Sequence, residues 1–313
     1  MNSLRLPARA GLILSLAIIL GGAQAPTRSF RSDPEAPIVV TGERPTRQQA
    51  RERAVEFVRR TGVARGETAA ARWTDPVCPR VLGIAEPYAG LVARRMRAIA
   101  MEAGLRVARE DCRTNVSVSF VGDAAGLMQE IDRRSPTRLN EVPRDLRDAM
   151  LTGDAPLRWW YLTETRSRHQ TRNAPQAIAS EYGGGGTGGR SSETGSQLDT
   201  ESLQEYNSSI ISTFGARVII DANVVVDLDR VEGRALEAVA AYAAMVAFAE
   251  IRPSTPPPSG SILGMFDGET GARGLTDWDM AFLRALYALP LDRQARRHRG
   301  ILVREMVEFQ TAR

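Results

Sequence analysis

The sequence contains no lysine and only two histidines, His169 and His298. A protein zinc site needs three or four nitrogen, sulfur or oxygen donors that converge on the metal at about 2 Å. Two histidines and two cysteines supply few such donors. We therefore predict no metal site and no cofactor. Without a metal, the protein cannot activate a water molecule on one. The Gly-x-Ser-x-Gly nucleophile signature is also missing.

Because lysine is absent, all 41 basic residues counted as Lys or Arg are arginine, and the formal net charge is +4. Removal of Arg5 and Arg9 with a signal segment would lower this charge to +2. A nucleic-acid-binding protein concentrates its cations on one face, whereas these arginines are spread along the chain. We therefore predict no nucleic-acid partner.

Residues 1–25 are typical of a secretory signal, with two arginines, an apolar run at 11–20 and small residues near the end. The apolar run is short for a bilayer, which needs about 20 residues. We predict export to the periplasm or the medium, with cleavage after Ala25 or, because Pro26 would obstruct it, after Ala23. Retention as an N-terminal anchor is the alternative. No membrane span is expected after cleavage.

Export affects the interpretation of the cysteines, because Cys78 and Cys112 are the only two in the chain. In an oxidising compartment such a pair is expected to form a disulfide. Closing a loop of this length would stabilise the fold by about 4 kcal/mol in the chain-entropy model. Two buried free thiols are the alternative.

The chain divides into a polar linker with an amphipathic helix at 26–68 and one α/β domain at 69–313. Thr46 and Gln49 form a capping-box pattern at the start of that helix. Gly62 is placed to end it. The apolar stripe of the helix is expected to pack on the domain.

The sequence of the first half of the domain predicts a strand at 69–73, a helix at 87–103 and a strand at 115–121. The last of these alternates apolar and polar residues, which is typical of a half-buried strand. A further strand at 157–164 contains three consecutive aromatic residues. They could line a cleft or pack in the core on both faces of the sheet.

A glycine-rich insertion follows at about 166–207 and is low in apolar residues, so we expect it to be disordered or mobile. Two strands are expected after it, at 209–213 and 216–227, and a hairpin that turns at Gly215 is one way to connect them. A helix at 234–250 is then almost wholly apolar and must be buried.

The segment after this helix resembles the metzincin zinc peptidases. Matrix-metalloprotease-like members place a Met-containing turn before the pattern Leu-Ser-x-x-Asp-x-x-x-Ile-x-x-Leu-Tyr. Here residues 261–265 look like the turn. The residues that match the following pattern are Leu275, Thr276, Asp279, Leu283, Leu286 and Tyr287. The resemblance implies a metzincin-like twisted mixed sheet with a buried central helix and C-terminal helices, and the chain also looks like uncharacterised exported bacterial proteins.

Metzincins carry His-Glu-x-x-His on the central helix, and this helix has no histidine. The resemblance therefore implies the fold without its usual chemistry. We predict a non-catalytic pseudo-peptidase that binds a peptide, a protein or an envelope component, with a cleft near Tyr242, Trp160 and Glu164. The alternatives are a hydrolase with an unrecognised site, in which Tyr242 would meet an acid, and a purely structural envelope protein.

Overall fold

The computed structural model describes residues 45–167, 215–253, 256–268 and 273–312. All of them lie in one compact unit. The predicted signal segment and nearly all of the predicted linker before the first helix lie outside the described residues. So does the glycine-rich insertion, apart from its first two residues.

Seven α-helices and five strands are present among the described residues. The helices are α1 (Arg47–Thr61), α2 (Glu86–Ala103), α3 (Ala124–Arg134), α4 (Arg144–Thr152), α5 (Leu236–Phe248), α6 (Asp277–Ala288) and α7 (Ala295–Thr311). The strands are β1 (Arg72–Trp73), β2 (Pro79–Leu82), β3 (Val116–Val121), β4 (Leu157–Ser167) and β5 (Gly215–Asp227). Short 3-10 helices lie at Pro136–Leu139 and Ile262–Gly264. The predicted α/β class is confirmed.

The five strands form one sheet that is organised around β5. Parallel to β5 run β1, which pairs with its first half, and β3, which pairs with its second half. β2 pairs with β3 in parallel, and β4 pairs antiparallel with β5 along its whole length. Since β1 and β3 occupy one side of β5, β4 lies on the other and forms an edge of the sheet in the described chain.

The predicted strand–helix–strand unit needs a correction. The strand that pairs with β3 across α2 is β2, which the sequence patterns did not predict. Strand β1 pairs with β5 instead. Proline is tolerated at the first residue of a strand, and Pro79 occupies that position in β2. Because Pro76, Pro79 and Gly83 lie in or next to so short a strand, the segment resembles a turn in the sequence.

Helix α1 begins and ends where the sequence predicts. Thr46 and Gln49 form the reciprocal capping box, and Gly62 ends the helix with a φ of 69°. The predicted apolar stripe is buried, and α1 packs against α7. The buried residues are Ala50, Ala54, Phe57, Val58 and Thr61.

Helix α5 forms the centre of the main core, and every residue from Ala238 to Phe248 is buried. Because many of these residues are alanine, α2 and the sheet can approach the helix closely. A smaller core on the other face of the sheet brings α3 and α4 together with Trp160 and Val225. In the described part of the chain no helix combines the length and the hydropathy needed to cross a bilayer.

Arg158 is a buried cation at the start of β4, with a side chain that is 1% exposed. Its guanidinium donates hydrogen bonds to the carbonyls of Met150 at 2.9 Å, Ala155 at 2.8 Å and Gly153 at 2.5 Å. A carboxylate oxygen of Asp227 lies 3.8 Å away. The side chain thereby fixes the end of α4 to the sheet.

Candidate functional site

The three aromatic residues of β4 divide between the two faces of the sheet, as the alternation of a strand requires. Trp159 and Tyr161 lie on the α5 side, where the Trp159 indole donates to the carbonyl of Ile251 at 2.8 Å. Trp160 lies in the smaller core on the opposite face.

The C-terminal end of α5 is buried and is not followed by a glycine. The last carbonyls of a helix have no partner within it, and here aromatic side chains supply the donors. One of these donors, the Tyr161 hydroxyl, in addition accepts a hydrogen bond from the Ile251 amide at 3.1 Å. Burial raises the pKa of this hydroxyl well above the ordinary value. The donor pairs are Trp73 to Ala247 (2.9 Å), Tyr287 to Phe248 (2.6 Å), and Tyr161 to Val246 (2.5 Å) and Ala249 (2.8 Å).

A groove of about 330 Å³ follows β4 between α4 on one side and the chain after α5 on the other. Its volume is at the lower end of the range for small-ligand sites. Aromatic residues dominate the α5 side, and α4 contributes the opposite wall. Lining residues include Val142, Leu146, Ala149, Trp159, Tyr161, Tyr242, Ile251 and Phe266.

Tyr242, which we predicted near a cleft, lines this groove and is 8% exposed. Its ring meets the rings of Trp159 and Phe266 edge-on, with centroids 6.2 Å and 5.5 Å away. Burial, with a smaller contribution from the charge of Asp267, raises the pKa of its hydroxyl. The phenol therefore stays protonated at neutral pH, and it is suited to donate a hydrogen bond and not to act as a base.

The two other predicted cleft residues are placed differently. Trp160 is one of the residues that line the groove, although it is only 4% exposed. Glu164 is exposed and is not a lining residue, and it forms an ion pair with Arg166. The structure thus brings Tyr242 and Trp160 to one groove and leaves Glu164 outside it.

Within the residues that the structure describes, a side chain outside the sheet bonds to β4 at Thr163. The amide and the hydroxyl of Thr163 donate to a carboxylate oxygen of Glu141 at 3.1 Å and 2.9 Å. Next to it, Arg217 forms a two-pronged ion pair with Glu250, with distances of 2.7 Å and 2.9 Å. Within the described chain, β4 has no strand partner other than β5.

The six residues that carry the metzincin resemblance lie at one junction in the main core. Thr276 caps α6, and Asp279 completes its capping box. Leu283 and Leu286 are fully buried, and Leu275 packs against the core from a partly buried position. Tyr287 reaches α5 through its hydroxyl. The segment therefore joins α6 to α5 and to the preceding 3-10 helix.

The predicted disulfide is confirmed. Cys78 and Cys112 are bonded; their Cα atoms are 6.0 Å apart, and the two residues are 34 positions apart in sequence. The bond fixes the start of β2 to the segment that leads into β3. Disulfides of this kind persist in oxidising compartments, which agrees with export.

His298 is fully buried, and both of its ring nitrogens have backbone partners. Nδ1 accepts from the amide of Ala70 at 3.0 Å, so Nε2 carries the proton and donates to the carbonyl of Pro290 at 3.0 Å. Burial lowers the pKa of this imidazole. His169 lies outside the described residues, and no three His, Cys, Asp or Glu side chains of the described segments are grouped so as to hold a metal ion.

Comparison with known proteins found no matching family model, no matching curated protein and no matching solved structure.

Proposed function

We propose that the protein is an exported, non-catalytic binding protein with a degenerate metzincin-like fold. Its groove along β4 takes an extended peptide segment of a partner. One observation carries this proposal: an antiparallel edge strand, with no second strand partner in the described chain, borders an aromatic groove beside a buried helix that lacks metal ligands. The disulfide supports export, and an antiparallel edge strand beside a buried helix agrees with the fold that the resemblance implies.

The mode of binding is strand addition. A peptide that lies along β4 bonds to its free backbone groups, and alternate side chains of the peptide enter the groove. The rings of Trp159, Tyr242 and Phe266 offer apolar contact area there. Because Glu141 already accepts from the Thr163 amide, an incoming peptide carbonyl must displace that carboxylate. A hydrogen bond to a charged group contributes about 1.5–3 kcal/mol, and the other backbone bonds and apolar contacts of the peptide have to offset this loss.

The groove offers little for catalysis. Glu250 is held by Arg217, and Glu141 is held by Thr163. Asp267 is the groove carboxylate whose charge acts on Tyr242, and it raises the pKa of the phenol. A base or nucleophile would need the pKa lowered. This arrangement disfavours the hydrolase alternative.

The test is peptide selection. Peptides selected from a random displayed library on the purified protein are measured against the wild type and against Ala149→Trp, which fills the groove from the exposed side of α4. Arg144→Trp, on the same helix and outside the groove, is the matched control. We expect Ala149→Trp to lower affinity at least about tenfold and the control to change it little.

Two results contradict the proposal. In one, the selected peptides bind Ala149→Trp as tightly as the wild type. In the other, the protein cleaves peptides or esters with turnover that Tyr242→Phe abolishes, which establishes the hydrolase alternative. Tyr242→Phe suits this purpose because it keeps the ring contacts and removes only the hydroxyl.

A further inference from the structure

A second groove, of about 760 Å³, lies between α1 and α7 and shares no residue with the β4 groove. No aspartate or glutamate of the described chain lines it. Its walls carry six arginines: Arg47, Arg51, Arg59, Arg65, Arg299 and Arg304. The β4 groove, by contrast, is lined by the carboxylates Glu141, Glu250 and Asp267.

Helical spacing produces the two walls. On α1, Arg47, Arg51 and Val55 follow one another at four-residue intervals and share a face. On α7, Arg299, Val303 and Val307 do the same. Arg299, near the start of α7, donates at 2.7 Å to the carbonyl of Gly66, which follows the end of α1. The two helices therefore run antiparallel, side by side.

The floor of the groove is apolar. It is formed by valines, of which Val58, Val63 and Val307 are buried and Val303 is partly buried. Val55 is 48% exposed. An apolar floor between two helices is the surface on which a third helix packs. Residues 47–62 of the α1 wall span about 22 Å at 1.5 Å per residue, which is about four helical turns.

We infer that the α1–α7 groove binds an acidic amphipathic helix of a partner protein. Guanidinium groups form two-pronged, charge-assisted hydrogen bonds with carboxylates. Among the residues that the structure describes, Arg304 pairs with Glu305, and Arg299 bonds to the backbone carbonyls of Ala64 and Gly66. The four other arginines form no ion pair with any described residue. They are Arg47, Arg51, Arg59 and Arg65. A flat bilayer surface would contact only the rims of a groove, whereas a helix with apolar residues on one face and glutamates at its flanks contacts floor and rims together.

The experiment uses a synthetic acidic helix of about 16 residues, the length of the wall, with leucines at i, i+3, i+4 and i+7 and glutamates beside them. A scrambled peptide of the same composition keeps the charge and loses the apolar stripe. Binding is measured by calorimetry on the wild type and on the double variant Arg51→Glu/Arg304→Glu. Arg109→Glu is the control, since Arg109 is exposed and lies outside the groove.

We expect the amphipathic peptide to bind the wild type, and both the scrambled peptide and the double variant to weaken binding at least about tenfold. Arg109→Glu should change affinity less than about twofold. Val55→Asp places a negative charge on the apolar floor, where it repels the acidic peptide, and should also abolish binding. Thermal melting of each variant verifies that it is folded.

Equal binding of the scrambled peptide overturns the inference, because charge alone would then suffice. The inference also fails if the peptide does not bind the wild type but phosphatidylglycerol vesicles do, and if the vesicles no longer bind the Arg51→Glu/Arg304→Glu variant. These outcomes are independent of the β4 groove.

Discussion

The carboxylate of Asp279 accepts a hydrogen bond from the hydroxyl of Ser261 at 2.5 Å, and both side chains are fully buried. Its second oxygen accepts from the amide of Ile262 at 2.8 Å and from the amide and hydroxyl of Thr276, both at 2.9 Å. One carboxylate therefore fixes the 3-10 helix at Ile262–Gly264 to the first turn of α6. Burial raises the pKa of Asp279, and these hydrogen bonds oppose the increase.

Replacement of Asp279 should show whether its oxygens act as acceptors at this junction. Asp279→Ala leaves the buried donors without an acceptor and is expected to lower the free energy of unfolding by about 3–5 kcal/mol. Asp279→Asn keeps the oxygen that accepts three bonds and places its amide beside the Ser261 hydroxyl, which can accept. We expect it to cost less than half as much. Urea denaturation measures both, and equal losses would contradict this account.

His298 predicts a pH dependence of stability. Its pKa is lowered in the fold, chiefly by burial, and Arg72 also lowers it while Asp292 opposes the decrease. The unfolded chain, with a histidine pKa of about 6.5, binds the proton more readily than the folded chain. The stabilisation is complete above about pH 6.5 and is lost as pH falls towards the lowered folded pKa.

The measurement for His298 compares unfolding free energies at pH 7.5 and 5.5. His298→Gln retains one acceptor and one donor for Ala70 and Pro290 and does not titrate, so its stability should depend less on pH in this window. An identical pH profile in the variant and the wild type would show that other groups are responsible.

The disulfide should contribute strongly to stability. Cys78 and Cys112 are 34 positions apart in sequence, and the chain-entropy model gives about 4 kcal/mol for a loop of this size. We expect Cys78→Ser/Cys112→Ser, or reduction of the wild type, to lower the midpoint of urea unfolding accordingly. A double variant as stable as the oxidised wild type would contradict this expectation.

Arg158 provides a test of the smaller core. Arg158→Met has similar length but leaves the carbonyls of Met150, Gly153 and Ala155 without their donor. We expect a loss of about 3 kcal/mol or more. Arg133→Met, at an exposed position of α3, should cost less than about 0.5 kcal/mol and is the control. Comparable losses for the two substitutions would show that Arg158 acts only as surface charge.

Local patterns were sufficient for several elements. The capping residues Thr46 and Gln49 and the terminating Gly62 predicted where α1 begins and ends, because those signals involve only neighbouring residues. Alternation predicted β3. Strand β2 was missed because its four residues are too few to show a period.

Features made by distant residues could not be predicted in this way. Glu141 meets Thr163 across 22 positions, and no spacing rule links them. From the sequence alone, Arg158 would be expected on the surface, because the carbonyls that accept its hydrogen bonds are evident only in the fold. The arginines are spread along the chain, yet α1 with the segment after it and α7, from opposite ends of the described chain, bring six of them into one groove.

The aromatic donors at the end of α5 have a consequence for how the protein unfolds. Trp73, Tyr161 and Tyr287 come from β1, β4 and α6, and each satisfies a carbonyl of the last turn of the same helix. Detachment of any one of these elements exposes a polar group in an apolar surrounding, so partial opening is costly. Local melting should therefore be suppressed here, and the protein should lose β1, β4 and α6 in one cooperative transition, with its slowest amide exchange at this helix end.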